Sequence, residues 1–204
     1  YFRPGGAVTH NAARTSTGIV PLMERYSNGI REVGQNGRRG AEMQSISIHH
    51  PESVKILPDG VEPVEIVVNP GTAREIRTTT EYYNPADPDF ASVKYDVGKV
   101  TGANISIRLS DEFLSAVDAG TDFEQRWPVD SKTPKITKRI DARRAWKKIV
   151  QSAWQMAEPG LLFWDNILRE SPADCYAKQG FKTISTNPCG EIPLSAYDSC
   201  RLLL

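Results

Sequence analysis

Apolar residues recur at helical spacing in two segments of the chain. The first runs from about residue 20 to 33, and Pro21 suits the first turn of a helix. The second runs from 142 to about 157, with Asp141 as its predicted N-cap and Gly160 as its predicted end. Its apolar stripe, which we predict to face the core, consists of Ala142, Ala145, Trp146, Ile149, Val150, Ala153, Trp154 and Ala157. The pattern therefore predicts two amphipathic helices.

Short apolar and β-branched runs lie between these helices. Strands are predicted for MQSISI at 43–48, VTGANISIRL at 100–109 and LLFW at 161–164. A further helix, SDEFLSAVDAG, follows the second strand, with Ser110 as its N-cap and Gly120 at its exit. Because strands alternate with helices, the sequence favours an α/β fold with mainly parallel pairing.

Two polar segments interrupt this pattern. Residues 59–95 are polar and rich in proline, and we interpret them as an excursion from the main fold. KITKRIDARRAWKK, at 135–148, is basic and is predicted to be a solvated helix face.

The overall composition is ordinary for a globular protein. The chain has 204 residues, and 25 basic side chains balance 25 acidic ones, so no general attraction to nucleic acid or to a membrane is expected. No apolar run approaches the roughly 20 residues that span a bilayer. Three cysteines are too few for a disulfide scaffold and indicate a cytoplasmic protein. The chain begins with YFRPGG, without an initiator Met, and ends with CRLLL, so we expect a fragment of a longer protein.

The stretch STNPCGEIPLSAYDSC, at 185–200, carries the most distinctive chemistry. If it is extended, Asn187, Cys189 and Glu191 point to one face, and Pro188 and Gly190 occupy the alternate positions. A thiol beside a carboxylate suits a cysteine nucleophile, but no histidine lies nearby to act as its base. The spacing to the next cysteine, eleven residues on, does not fit a zinc site. From the residues alone, a catalytic and a buried structural cysteine both stay open.

This stretch resembles the active-site segment of ribonucleotide reductases, particularly the adenosylcobalamin-dependent class II enzymes. The resemblance implies that Cys189 forms a thiyl radical, which abstracts the 3′-hydrogen of the substrate ribose. It further implies that Glu191 takes the 3′-hydroxyl proton, that Asn187 orients the substrate, and that Cys200 is one of two cysteines that end as a disulfide. The segment from Asn187 through Pro188, Cys189 and Gly190 to Glu191 is the implied substrate-binding segment.

Two loops gain meaning only from the same resemblance. VGQNGRRGA, at 33–41, is by itself a solvated basic turn or a ligand loop, and it lacks the Lys-Ser/Thr pair of a phosphate-binding P-loop. The resemblance implies that this segment is a specificity loop. In such a loop Gln35 and Arg39, with Arg38 beside them, recognise the substrate base according to which effector is bound. RPGGAVTHNAARTSTG, at 3–18, resembles the end of the first effector loop, in which Arg3 contacts the effector triphosphate and Thr9 lines its pocket.

The family resemblance also sets expectations for the whole molecule. Residues 1–204 are expected to form part of a ten-stranded α/β barrel, which in the family consists of two parallel five-stranded halves. Expected partners are a ribonucleotide substrate, dNTP or ATP effectors, a thioredoxin-type reductant, the remainder of the reductase chain and a second copy of the full enzyme. Adenosylcobalamin is the expected cofactor, bound mostly by residues outside this chain. We expect the isolated chain to be inactive.

Three alternatives stay open. A class I large subunit would receive its radical from a metal-containing partner, although the sequence NPCGE favours class II. A non-catalytic nucleotide-binding or assembly module would use the glycine-arginine loop. A zinc site is a third option, but we predict no metal site, neither at Cys189 and Cys200 nor at His49 and His50, and we interpret Cys175 as a bystander.

Overall fold

The structure, a computed structural model, describes residues 6–8, 14–16, 18–33, 40–53, 100 and 102–201. Its helices are α1 Val20–Glu32, α2 Asp111–Ala119, α3 Ala142–Met156 and α4 Trp164–Glu170, with a 3₁₀ helix at Asp174–Gln179. Its strands are β1 Gly6–Val8, β2 Arg14–Ser16, β3 Met43–Ser47, β4 Asn104–Leu109, β5 Asp122–Trp127, β6 Ile136–Asp141, β7 Gly160–Phe163, β8 Ser185–Thr186 and β9 Pro193–Leu194. The predicted excursion at 59–95 lies outside the described residues.

A three-stranded parallel sheet in the order β3-β4-β7 organises the described part of the chain. Met43 pairs with Asn104 and Ser106 pairs with Gly160, so the strands start at a common edge. Gly160 permits the close approach of β7, because a Cβ there would lie 2.5 Å from the Ser106 hydroxyl oxygen. The three predicted strands and the α/β architecture with a parallel sheet are confirmed. The expectation of mainly parallel pairing is not met among the described strands, because the pairs β1–β2, β5–β6 and β8–β9 are antiparallel hairpins.

The hydrophobic core lies between this sheet and helices α2 and α3. Alternate residues of β4, Ile107 and Leu109, point to the helices, as expected for side chains that alternate across a strand. The complete buried cluster is Ile48, Ile107, Leu109, Phe113, Phe123, Ala142, Ala145 and Ile149. The segment that carries Cys189 packs on the opposite face of the sheet.

Helix ends follow the sequence signals with one exception. The hydroxyl of Ser110 accepts a hydrogen bond from the Phe113 amide, and the carboxylate of Asp141 accepts one from the Arg144 amide. Both predicted N-caps are confirmed, as is the exit of α2 at Gly120, whose φ is +68°. The prediction that Gly160 ends α3 is wrong, because Ala157 already adopts a left-handed conformation with φ of 58°.

Two further expectations are corrected. The first half of the basic segment is not helical: β6 pairs with β5 in an antiparallel hairpin that buries Phe123 and Gln125. Trp154, predicted to face the core, is 67% exposed. Its position on α3 lies half a turn from Ala145, since nine residues at about 100° each bring it to the opposite side of the helix.

In the part of the chain that the structure describes, no helix is long and apolar enough to cross a membrane.

Candidate active site

Cys189 lies in a tight turn between β8 and β9. These strands pair antiparallel, with Thr186 opposite Pro193, so residues 187–192 form the connecting loop of a hairpin. The Gly190 amide donates to the Asn187 carbonyl at 3.0 Å and closes the turn. Asn at the first position, Pro at the second and Gly at the fourth are the preferences of a type I β-turn. The local sequence therefore favours a turn at Cys189.

The expectation of an extended segment is consequently wrong. Asn187 is only 3% exposed, whereas Cys189 and Glu191 are both exposed. The three side chains do not share one face as they would on a strand, because the turn reverses the chain between Asn187 and Glu191. Gly190 enables this reversal with a φ of +87°, a conformation that other residues adopt only with strain.

Asn187 and Cys200 are the two predicted site residues that the structure brings into contact. The Asn187 amide nitrogen donates to the Cys200 sulfur at 3.6 Å, and its amide oxygen accepts from the Ile192 backbone at 2.9 Å. The Asn187 backbone also donates to the Ile192 carbonyl at 3.1 Å. One buried side chain thus holds the hairpin loop in shape and fixes the place of the second cysteine.

The hairpin is seated on the sheet face opposite the helices. The side-chain amide of Asn104, the first residue of β4, donates to the Pro188 carbonyl at 2.6 Å. A Cβ built on Gly190 would lie 3.7 Å from Leu162 and 3.9 Å from Met43. The turn therefore contacts all three strands, at the first residues of β3 and β4 and at Leu162 of β7.

The base of the hairpin is held at the other end of the sheet. Arg108 donates to the Ile184 carbonyl at 3.4 Å, and its guanidinium lies 4.7 Å from the centroid of the Trp164 ring.

Thr183, which is 2% exposed, donates through its backbone and its hydroxyl to the Asp174 carboxylate. Desolvation opposes ionisation of Asp174, but hydrogen bonds from Thr183 and Ser171 lower its pKa below the usual value. The hairpin is therefore fixed at both ends.

A cavity of about 790 Å³ opens beside the hairpin base. It runs along β3, between α1 and residues 182–185, and His49, Arg108 and Arg126 lie on its wall. Burial, reinforced by the nearby Arg126 guanidinium, lowers the pKa of His49, and Glu112, 3.8 Å away, offsets part of this effect. Cys189 and Glu191 do not line this cavity.

Several predicted residues lie outside the described residues, namely Arg3, Thr9, Gln35, Arg38 and Arg39. Asn104 and Thr183, which hold the hairpin, were not among the predicted site residues. No local pattern marks either residue, because each acts on a partner that only the fold brings near. Among the described residues, no group of three or more His, Cys, Asp or Glu side chains is arranged to hold a metal ion.

Comparison with known proteins identifies related sequences along the whole chain. The family described as "Ribonucleotide reductase, barrel domain" matches residues 1–203. The chain is 29% identical over 202 residues to a vitamin B12-dependent ribonucleoside-diphosphate reductase of Thermoplasma acidophilum, covering 98% of this chain and 21% of that protein. It is 27% identical over 204 residues to the protein of the same name from Mycobacterium tuberculosis, covering 99% of this chain and 24% of the relative. The chain therefore spans about a fifth to a quarter of the length of these relatives.

Proposed function

Since the chain belongs to the ribonucleotide reductase barrel-domain family, we propose that it is part of an enzyme that reduces ribonucleotides to 2′-deoxyribonucleotides. The observation that carries the proposal is the placement of Cys189. Its thiol is exposed in a turn fixed to the sheet, and the same turn holds Asn187 against Cys200. A thiol that reacts with a bound substrate must be both accessible and fixed in position.

The proposed reaction uses Cys189 as a hydrogen-atom carrier. Its thiyl radical takes the 3′-hydrogen atom of the ribose, and Glu191, which is exposed in the same loop, takes the proton of the 3′-hydroxyl group. The 2′-hydroxyl group then leaves as water with a proton from one of the two reducing thiols, and the hydrogen of the other thiol ends on the 2′-carbon. S–H and activated C–H bonds have similar strengths, so Cys189 can return its hydrogen atom to the 3′-carbon and recover the radical.

Two electrons must enter the substrate from elsewhere. We assign them to Cys200 and to a second cysteine outside this chain, which lose their thiol hydrogens and form a disulfide. The contact between the Asn187 amide and the Cys200 sulfur supports this assignment, because it places Cys200 within the same hairpin assembly as Cys189. A thioredoxin-type protein would reduce the disulfide after each turnover.

The relatives are named vitamin B12-dependent, and the geometry of Cys189 is compatible with that cofactor. When bound, adenosylcobalamin would supply the radical chemistry that converts the Cys189 thiol to its thiyl form. Cys189 is exposed and so is accessible to an external radical source, which is the requirement that falls on this chain. We assign no described residue to cobalamin binding, in keeping with the expectation that the cofactor is held elsewhere in the protein.

The rest of the proposal concerns the complete enzyme. We propose that β3, β4 and β7 are part of the ten-stranded barrel, that dNTP or ATP effectors act through the loops at 3–18 and 33–41, and that the enzyme is a cytoplasmic homodimer. The parallel sheet with a common strand edge supports the barrel.

The test is reduction of ribonucleoside di- and triphosphates by the full-length protein, with and without adenosylcobalamin. We expect cofactor-dependent product, loss of activity in C189S, and normal activity in C175S, whose thiol is exposed and lies outside the hairpin. Activity that requires a second, metal-containing subunit would assign the protein to class I. Unchanged function in C189S would favour a non-catalytic nucleotide-binding module. Reduction by residues 1–204 alone would contradict our expectation that the isolated chain is inactive.

A further inference from the structure

The side chain of Asn104 joins the central strand of the sheet to the turn that carries Cys189. Its amide nitrogen lies 2.6 Å from the Pro188 carbonyl oxygen, although the two residues are 84 positions apart in the sequence. Pro188 immediately precedes Cys189, so this contact acts on the peptide unit that leads into the thiol-bearing residue. This distance is slightly shorter than the usual range of about 2.7–3.2 Å for an N–H donor and a carbonyl acceptor, so the two groups are in close contact.

Asn104 is itself held firmly. Its backbone amide donates to the Glu42 carbonyl at 2.9 Å, and it pairs with Met43 at the start of the β3–β4 ladder. Residues on the strands of a sheet hold a site more precisely than residues on loops. The donor that meets Pro188 is therefore anchored to two strands.

The other contacts of the turn do not replace this hydrogen bond. Gly190 has no side chain, and its surroundings are the apolar ends of Met43 and Leu162, which give contact without direction. The Asn187 side chain bonds Ile192 within the hairpin and Cys200 beyond it, and neither bond ties the turn to the sheet. Among the described residues, Asn104 is the one whose side chain holds the turn on the sheet through a hydrogen bond, which fixes orientation as well as contact.

We infer that Asn104 is a positioning residue that sets the location of the Cys189 thiol relative to the sheet. The inference rests on the proposed function, because the location of Cys189 matters only if its sulfur reacts. Asn104 does not touch the sulfur and acts through Pro188. Removal of its donor leaves the hairpin fold intact and allows the turn to shift at the edge of the sheet.

The variants N104A and N104D in the full-length protein test this role. N104D preserves the size of the side chain and replaces the donor with a second acceptor facing the Pro188 carbonyl. N104Q retains the amide donor. N166A is the matched control, because Asn166 is exposed on α4 and contacts Arg169, away from the hairpin.

Two measurements are compared across the variants. The first is steady-state reduction with kcat and KM separated: N104A and N104D should lose about 10- to 100-fold in kcat at little-changed KM, because misplacement of a reacting group by about 1 Å costs on that order. N104Q should recover a larger share of kcat than N104A. The second is the rate of Cys189 alkylation by iodoacetamide, followed by peptide mass spectrometry with Cys175 as internal reference, which should change several-fold in N104A and N104D.

The outcomes separate this inference from the proposed function. If the wild-type protein is active and N104A and N104D match N166A in both measurements, the positioning role is overturned. Equal losses in N104Q and N104A would also overturn it, since the amide donor would then be irrelevant. If the wild-type protein reduces no ribonucleotide, the proposed function fails, while the alkylation rates still decide whether Asn104 positions the turn. Should N104A be insoluble, the isosteric N104D decides the question.

Discussion

The Asn187 side chain donates to the Cys200 sulfur at 3.6 Å and accepts from the Ile192 amide at 2.9 Å, so one buried amide organises the cysteine-bearing hairpin. Cys200 is eleven residues from Cys189 in the sequence, yet both are tied to the same loop through this side chain. The relationship explains why an amide, rather than an apolar residue, occupies a position that is 3% exposed. A buried apolar side chain there would leave the Ile192 amide without its partner.

We predict that N187A lowers both stability and activity. Truncation leaves the Ile192 amide without the Asn187 oxygen, and the loss of a buried hydrogen-bond partner costs about 1–3 kcal/mol. The midpoint of thermal unfolding should fall, and ribonucleotide reduction should fall further than stability alone explains, because Cys200 also loses its contact. N166A, which alters an exposed amide on α4, is the control. Equal midpoints and activities in the two variants would contradict the prediction.

The sequence was sufficient to predict the elements that depend on periodicity. Helices α1 and α3 and the strands of the parallel sheet follow from apolar spacing, and the caps Ser110 and Asp141 follow from local hydrogen-bonding preferences. The β5–β6 hairpin was missed because the basic composition of β6 masked its strand character. It is formed by pairing with a neighbour that buries Phe123 and Gln125.

The placement of the site residues could be predicted only in part. Alternation predicted that Asn187, Cys189 and Glu191 share a face, but the turn preferences of Asn-Pro-Cys-Gly override strand alternation there. The resemblance singled out Cys189 and Cys200, and the structure adds that Asn187 joins Cys200 to the turn. Asn104 could not be predicted, because its partner lies 84 residues away and no pattern in the sequence connects the two.

We predict that G190A and G180A have equal effects on stability but different effects on the site. Both glycines have positive φ values, +87° and +96°, and neither would meet a close contact, so an added Cβ costs roughly 1–2 kcal/mol through backbone strain. Only Gly190 lies in the Cys189 turn. Thermal unfolding should therefore shift similarly in the two variants, whereas reductase activity and Cys189 alkylation should change in G190A alone.

At a third glycine, substitution by alanine should raise stability rather than lower it. Gly29 is helical, and a Cβ there would meet nothing within 4 Å, so G29A should stabilise the protein by about 0.5–1 kcal/mol.

A loss of activity in G180A equal to that in G190A would show that backbone strain anywhere in the domain, rather than displacement of the turn, is responsible.

We predict that the two aromatic side chains Phe113 and Trp154 differ sharply in their contribution to stability. Phe113 is fully buried and packs edge-to-face on Phe123 with ring centroids 5.1 Å apart, so F113A should cost about 3–5 kcal/mol. Trp154 is 67% exposed, and W154A should stay within about 1 kcal/mol of the wild type, as is usual for surface substitutions. Thermal unfolding of the two variants provides the comparison. A loss in W154A as large as in F113A would mean that the core-facing interpretation of Trp154 is correct after all.

We predict that stability falls as the pH drops below about 6.5, the ordinary pKa of histidine, and that His49 contributes to the fall. Burial, together with the charge of Arg126, lowers the pKa of His49 in the folded protein, while Glu112, Asp165 and Asp130 act in the opposite direction. The unfolded chain therefore binds the proton more readily than the folded one. The stability that neutral His49 provides is fully present above pH 6.5 and is lost as the pH falls towards the folded pKa.

The measurement is the thermal midpoint between pH 8 and pH 5 for the wild type, H49Q and E112Q. H49Q removes the titrating group and should flatten the profile in this window. E112Q removes the carboxylate 3.8 Å from the imidazole, so the pKa of His49 should fall further and the loss of stability should extend to lower pH. The pKa of Glu112 itself is lowered by its hydrogen bond with Arg126, so its own titration lies below the measured window. An H49Q profile as steep as that of the wild type would show that other groups cause the acid sensitivity.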